Sequence, residues 1–241
     1  MEFKIFDSYE EASKYSADLM ANVLKDKKDA VLGLATGSSP EGMYKELIAL
    51  YHKGEIDFSE VKSVNLDEYV GLDGSHHQSY RYFMDVNLFN HVNIDKKNTH
   101  VPNGIAADLQ EGAKAYDALI ESMGSVDVQV LGIGPNGHIG FNEPGEELLV
   151  HTHVADLKEE TIEANARFFE SKEEVPTKAV TMGVGAIMKS KKIVLIASGK
   201  NKAWAVQQMA SDVITTKIPA TLLKLHPNVT VVLDQEAASL L

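Results

Sequence analysis

Cysteine is absent from these 241 residues. That excludes disulfide frameworks and thiolate metal sites, and it fits a reducing, cytoplasmic setting. No apolar run reaches the ~20 residues that a membrane-spanning helix needs. The N-terminal stretch, residues 1–14, is acidic where a secretory signal is basic and then apolar. Cationic residues are in short supply: 23 Lys and Arg stand against 35 Asp and Glu, a formal charge of −12. So acidic a chain lacks the electropositive footprint of nucleic-acid binding. It also repels anions at long range, so an anionic ligand would need local cations and backbone N–H groups. Linkers of low complexity and internal repeats are missing as well, and the length suits one α/β domain spanning 1–241.

What is there alternates. Short β-branched or apolar runs at 3–6, 30–35, 61–66, 126–133, 192–197 and 229–234 predict strands. Helical patterns lie between them at 8–26, 40–52, 76–90, 106–123, 158–170 and 200–211. Several strand runs are apolar almost throughout, as parallel strands covered on both faces are. The pattern predicts an α/β fold with an open, mostly parallel sheet and helices on both sides.

The polar and glycine-rich stretches all follow predicted strands: "TGSSP", "DEY", "GPNGHIGFNE" and "SGKNK". In open α/β sheets the carboxyl ends of the strands share one crevice, where ligands bind. Four segments distant in sequence are therefore expected to line one site.

In "TGSSPEGMYKELIAL", Ser39 suits an N-cap and Pro40 the first helical position. Thr36, Gly37, Ser38 and Ser39 either form an ordinary capped turn or offer N–H groups and hydroxyls to a phosphate. In "SGKNK", Lys200 and Lys202 stand at a helix N-terminus, where cations are disfavoured. Either both reach solvent or an anion sits between them; beside "TGSSP" the anion is favoured, phosphate first. Asp67 and Glu68 end a strand, where a carboxylate serves as a general base or caps the next turn.

The run "GIGPNGHIGFNEPG" contains a literal G-x-G-x-x-G at Gly132, Gly134 and Gly137. A dinucleotide fingerprint needs its last glycine to open a helix, and Gly140, Pro144 and Gly145 forbid one here. What remains is a glycine-rich loop carrying His138 and, five residues on, Glu143, a pair suited to proton transfer. His76, His77, His151 and His153 lack metal-ligand spacing and read as surface residues. Arg167 by itself reads as a surface ion pair, and Trp204 as core.

Taken together and in order, "LDEYVGL", "GIGPNGHIGFNEPG", "ANARFF" and "VPTKAVTMGVG" resemble the glucosamine-6-phosphate deaminase family. The resemblance implies a modified Rossmann-like three-layer αβα sandwich, shared with 6-phosphogluconolactonase. It implies conversion of glucosamine 6-phosphate and water to fructose 6-phosphate and ammonia, formally a hydrolysis, with neither cofactor nor metal. Asp67 then matches the base that moves a proton between C2 and C1. His138 matches the ring-opening acid/base, and Glu143 the carboxylate behind it. Thr36, Gly37, Ser38 and Ser39 match the phosphate cradle, with Arg167 and Lys202 as its cations. Residues 156–170 match a mobile lid.

Two departures stand out. Asn136 occupies a position where many members have Asp; it can orient an imidazole by hydrogen bonding but brings no charge. After "FNEP" the chain reads "GEELLVHTHVADLK", acidic or neutral where regulated members are basic, and it lacks their C-terminal extension. Activation by N-acetylglucosamine 6-phosphate is therefore not expected, and the oligomeric state stays open. Lactone hydrolysis and a non-enzymatic sugar-phosphate sensor are the competing readings. The retained Asp67, His138 and Glu143 weigh against both.

Overall fold

The computed structural model describes all 241 residues except the side chain of Phe168. Strand β1 (Glu2–Phe6) leads into α1 (Tyr9–Asp26), β2 (Val31–Leu34) and α2 (Ser38–His52). Then come β3 (Lys62–Asn65), β4 (Asp67–Tyr69), α3 (Tyr80–Asn87), β5 (Thr99–His100) and α4 (Leu109–Ser122). Strands β6 (Val128–Leu131) and β7 (His153–Asp156) precede α5 (Glu159–Asn165) and β8 (Lys178–Thr181). The chain closes with α6 (Val184–Met188), β9 (Ile193–Ala197), α7 (Ala203–Ala210) and β10 (Val229–Asp234).

Seven strands form one sheet in the order β1-β10-β9-β6-β2-β3-β5, with every pair parallel. Every residue of β2, β6, β9 and β10 is buried, because helices cover the sheet in a three-layer αβα sandwich. Each fully buried Val, Leu or Ile contributes ~1.5–3 kcal/mol relative to exposure, so this layer carries much of the stability. At the amino ends of the strands Asp127 holds the edge together. Its carboxylate meets Lys27 Nζ at 2.7 Å, Lys191 Nζ at 2.8 Å and the Val31 N–H at 2.8 Å.

The topology fixes where the site lies. From β2 the chain moves outward to β3 and β5; from β6 it moves the other way to β9. The crevice at such a switch point is the ligand position in open α/β sheets.

The helices begin where side chains satisfy their free N–H groups. Ser8 accepts from Glu11 N, Ser79 from Tyr82 N, and Asp108 from Gln110 N and Glu111 N. Two starts differ from the sequence expectation. Helix α2 begins at Ser38 with Gly37 as its N-cap, so Ser39 is no cap and Pro40 is its third residue. Helix α3 begins at Tyr80 rather than residue 76, because Asp73 ties Ser75 and His76 into a turn. Trp204 is 48% exposed, not core. Helix α7 buries Ala203, Ala205, Val206 and Met209, which leaves Trp204 on the outer face.

Strands β4, β7 and β8 were not expected. They form a second, antiparallel sheet in the order β4-β8-β7. The chain passes between sheets at Leu66, whose N–H donates to Leu34 O at 3.1 Å and whose carbonyl accepts from Met182 N at 2.6 Å. A separate apolar cluster of Tyr69, Phe141, Leu157, Ile162, Val175 and Ala179 lies against this small sheet.

Candidate active site

A cleft of about 820 Å³ opens over the carboxyl ends of the central strands. Its walls come from the segments that follow β2, β3, β6 and β9, four neighbours in the sheet. Thr36, Gly37, Ser38, Ser39, Asp67, His138, Arg167 and Lys202 all line it. Asn136 and Glu143 stand behind His138 rather than on the cleft wall.

At one end the features suit an anion. Gly37 has φ +86°, which lets the chain turn sharply into α2 and leaves the first N–H groups of that helix free. The Tyr9 hydroxyl donates to Ser38 O at 2.8 Å and accepts from Gly42 N at 2.8 Å, fixing the turn. Opposite, the Ser198–Lys202 turn is held by Asp234 at the end of β10. Its carboxylate accepts the Gly199 N–H at 3.0 and 3.1 Å and the Ser198 hydroxyl. Lys202 points into the cleft, whereas Lys200 is exposed and does not line it. Burial, with the neighbouring Arg167 charge, pushes the Lys202 ammonium down to about 8. Arg167 Nη2 lies 3.4 Å from Ser38 Oγ, so the guanidinium closes over the same turn. Two cations held against each other beside free N–H groups are the arrangement that an anion stabilises.

At the other end stand the carboxylates and the imidazole. Asp67 opens β4, is 6% exposed, and faces the cleft. Among the described residues nothing hydrogen-bonds its carboxylate. Burial, assisted by the Glu68 charge, pushes Asp67 up to about 8. Glu68, the next residue along the strand, points the other way and caps α3. It accepts from Tyr80 N at 2.9 Å, Arg81 N at 3.0 Å and Tyr69 N at 2.9 Å. Burial raises it to about 7 against those three bonds. The two uses open to a carboxylate at a strand end are thus divided between neighbours.

His138 Nδ1 lies 3.3 Å from Glu143 Oε2, within ion-pair reach but off the line of a hydrogen bond. The other ring nitrogen, Nε2, is left for a ligand. The imidazole lies flat over Gly134, where a Cβ would come within 2.3–2.5 Å of three ring atoms. The G-x-G-x-x-G run therefore makes room for an imidazole, and no helix follows it before α5. Asn136 does not touch the ring. Its Nδ2 donates to Glu143 Oε2 at 3.0 Å, and its Oδ1 accepts from His138 N at 3.2 Å. The sequence expectation that Asn136 orients the imidazole is corrected: it holds the carboxylate and the loop. Burial pushes the Glu143 carboxyl up, but contacts with His138, Thr161 and Asn136 outweigh it and leave the group below its usual range.

Helix α5 and the 3-10 turn Ala166–Phe168 cover the cleft, within the segment 156–170. Sequence reasoning missed three contributors. Thr161 donates to Glu143 Oε1, Tyr9 clamps the Ser38 turn, and Asp234 anchors the Ser198 turn. Only Asp234 carries a local signal, a carboxylate ending the apolar run "VTVVLD". The remaining histidines stay apart: His76 and His77 stack at 4.6 Å, and His151 meets Asp117 at 3.1 Å. Among the described residues no three His, Asp or Glu side chains gather as a metal-holding group.

A family model described as glucosamine-6-phosphate isomerases/6-phosphogluconolactonase matches residues 7–232. A glucosamine-6-phosphate deaminase of Clostridium perfringens is 61% identical over the full length of both chains. Another, of Thermoanaerobacter pseudethanolicus, is 59% identical over 97% of this chain and 92% of its own. The solved structure of a monomeric glucosamine-6-phosphate deaminase superposes over all of both chains, with a TM-score of 0.98 and 46% identity. The 6-phosphogluconolactonase of Trypanosoma brucei shares the fold, with a TM-score of 0.77 and 20% identity over 99% of this chain and 97% of its own. On the match over residues 7–232 and on relatives of this identity, the chain belongs to the family of glucosamine-6-phosphate isomerases and 6-phosphogluconolactonases.

Proposed function

We propose that the protein converts glucosamine 6-phosphate and water to fructose 6-phosphate and ammonia. The observation that carries this reading is one cleft holding an anion cradle at one end and two proton-transfer groups, Asp67 and His138, at the other. The phosphate docks on the Thr36–Ser39 turn, with Lys202 and Arg167 supplying charge-assisted hydrogen bonds. His138 Nε2 moves the proton between the ring oxygen and the anomeric hydroxyl, and the sugar opens to an aldehyde. Glu143 stabilises the imidazolium that forms on the way.

In the open chain the C2 proton lies next to the C1 carbonyl and is acidified by it. Asp67 removes that proton and returns it to C1, so the double bond passes to C2 and its nitrogen. Water adds at C2 and ammonia leaves, a hydrolytic end to an isomerisation. Asp67 must be ionised to begin, and its seclusion from water makes it a stronger base than an exposed carboxylate.

The segment 156–170 acts as a lid, and residues 1–241 work as one catalytic domain whose site draws on positions 9 to 202. A phosphorylated sugar does not cross a bilayer unaided, which suits a cytoplasmic enzyme. The test is to add glucosamine 6-phosphate to the pure protein and follow ammonia and fructose 6-phosphate, with 6-phosphogluconolactone as a parallel substrate. Both products in equal amounts are expected, with no acceleration of lactone hydrolysis. Lactone turnover alone would replace the proposal with hydrolysis on the same fold.

A further inference from the structure

The inward face of α5 reaches the proton-transfer pair through one side chain that the scheme above leaves unused. Thr161 is 4% exposed, and its hydroxyl donates to Glu143 Oε1 at 2.5 Å. Asn165, one helical turn on and therefore on the same face, donates from Nδ2 to the Tyr69 hydroxyl at 2.8 Å. Just past the helix, Arg167 approaches Ser38 in the anion cradle. The two oxygens of Glu143 are thus shared out. Oε2 belongs to Asn136 and His138 in its own loop, and Oε1 belongs to the lid.

We propose that Thr161 is a positioning residue that couples closure of the lid over the phosphate to the alignment of Glu143 behind His138. The terminal torsion of a Glu side chain is soft. With Oε2 alone held, the carboxylate can swing about that contact; the Thr161 bond fixes its plane. A phosphate shifts the lid toward the closed state only if it binds that state better. Arg167 supplies the difference through its approach to Ser38 in this arrangement of the lid. Thr161 sits on the same short segment, so the movement that brings Arg167 to the phosphate also brings the hydroxyl to Glu143. Substrate capture and preparation of the ring-opening pair become one event.

The inference rests on the proposed deaminase reading, and its test separates the two. Wild type, Thr161→Val and Thr161→Ser are compared with glucosamine 6-phosphate, and all three are checked for folding by circular dichroism. Valine keeps the shape and loses the hydroxyl. The expected result is a fall in kcat of roughly tenfold, the scale of one charge-assisted hydrogen bond, with KM within about twofold of wild type.

Serine should restore most of the rate. Glu143 is faced by His138 and Asn136 from its own loop and by Thr161 from α5; among the described residues no Lys or Arg contributes to its shift. Loss of the hydroxyl should therefore also raise the Glu143 carboxyl, which an NMR titration of that side chain reads beneath the acid limb that Asp67 governs. Unchanged kcat and an unmoved Glu143 titration in Thr161→Val would overturn the inference while leaving the deaminase reading intact. A joint change in kcat and KM that serine does not relieve would overturn it too, by assigning Thr161 to lid packing. A wild type that releases no ammonia would refute the deaminase reading itself, and the coupling with it.

Discussion

At the residue scale the site is governed by where charge is kept from water. Asp67 has no hydrogen-bond donor of its own among the described residues and is held at about 8 by burial and by Glu68. Its unfolded value is near 3.8, so the folded state keeps a proton that the unfolded chain releases across that window. The folded pKa is raised, so stability is present at low pH and is lost as pH climbs toward 8. Two outcomes follow for Asp67→Asn. Turnover of glucosamine 6-phosphate should drop by at least ~10²-fold, the scale of a lost general base, with KM little changed. The same variant should melt above wild type at pH 8, and the gap should close below pH 4. A variant that keeps its rate would return Asp67 to turn capping.

The same electrostatics set the pH profile. The base must be ionised, which favours pH above about 8, and Lys202 must be charged, which favours pH below about 8. For the free enzyme, kcat/KM should therefore form a narrow bell centred near that value. Lys202→Ala should raise KM for the phosphorylated sugar at least tenfold and flatten the alkaline limb, as steady-state assays between pH 6 and 10 would reveal. A wild-type profile flat across that range would mean that neither group titrates in the rate-limiting state.

At the element scale, the turns after β2, β6 and β9 line the cleft, and backbone conformation decides their shape. Gly37, with φ +86° and ψ −179°, occupies a region essentially closed to other residues. A Cβ there meets nothing within 4 Å, so Gly37→Ala isolates backbone strain from steric clash. The expected loss is ~1–3 kcal/mol in urea unfolding. KM should rise as well, because the relaxed turn carries its N–H groups away from the phosphate. Unchanged stability would show that the turn has a second conformation of equal energy.

The elements also separate what local pattern shows from what it hides. Helix α1, expected at 8–26 and found at Tyr9–Asp26, was legible because the N-cap Ser8 and the apolar stripe Ala12, Ala17, Met20, Ala21 and Leu24 agree. Strands β4, β7 and β8 were not. Each is three or four residues long and finds its partner across a long stretch of chain, as Asp67 does opposite Thr181.

At the scale of the whole molecule, the sheet order does the assembling. The groups that line the cleft come from segments as far apart as Thr36 and Lys202, and they meet because β3, β2, β6 and β9 are adjacent. The charge distribution then bears on regulation. Glu146 is paired with Lys217, and Asp156 with Lys178 at 3.2 Å, so two of the basic side chains near the segment after "FNEP" are already engaged by its acids. On a chain at −12, such a surface offers a phosphorylated effector little differential affinity between conformations. Substrate dependence should be hyperbolic and unmoved by N-acetylglucosamine 6-phosphate below the concentrations that compete at the active site. Titrations with and without that compound check this, and a sigmoidal curve made hyperbolic by it would reveal an effector site.

By itself the sequence determined the class of fold, the alternation of strands and helices, and the reach of one crevice. Those depend on local periodicity and on the rule that strand carboxyl ends gather together. It also determined that the glycine-rich run opens no helix, since Pro144 and Gly145 are written into it. Only the tertiary structure decided which of Asp67 and Glu68 faces the cleft, because that turns on a chain leaving one sheet for another at Leu66. Only it placed Asn136 against Glu143 rather than the imidazole, turned Lys202 inward and Lys200 out, and set Thr161 against the Glu143 carboxylate. Each of these depends on a contact between segments that share no local pattern, and such a contact exists only once the sheet has fixed the distance between them.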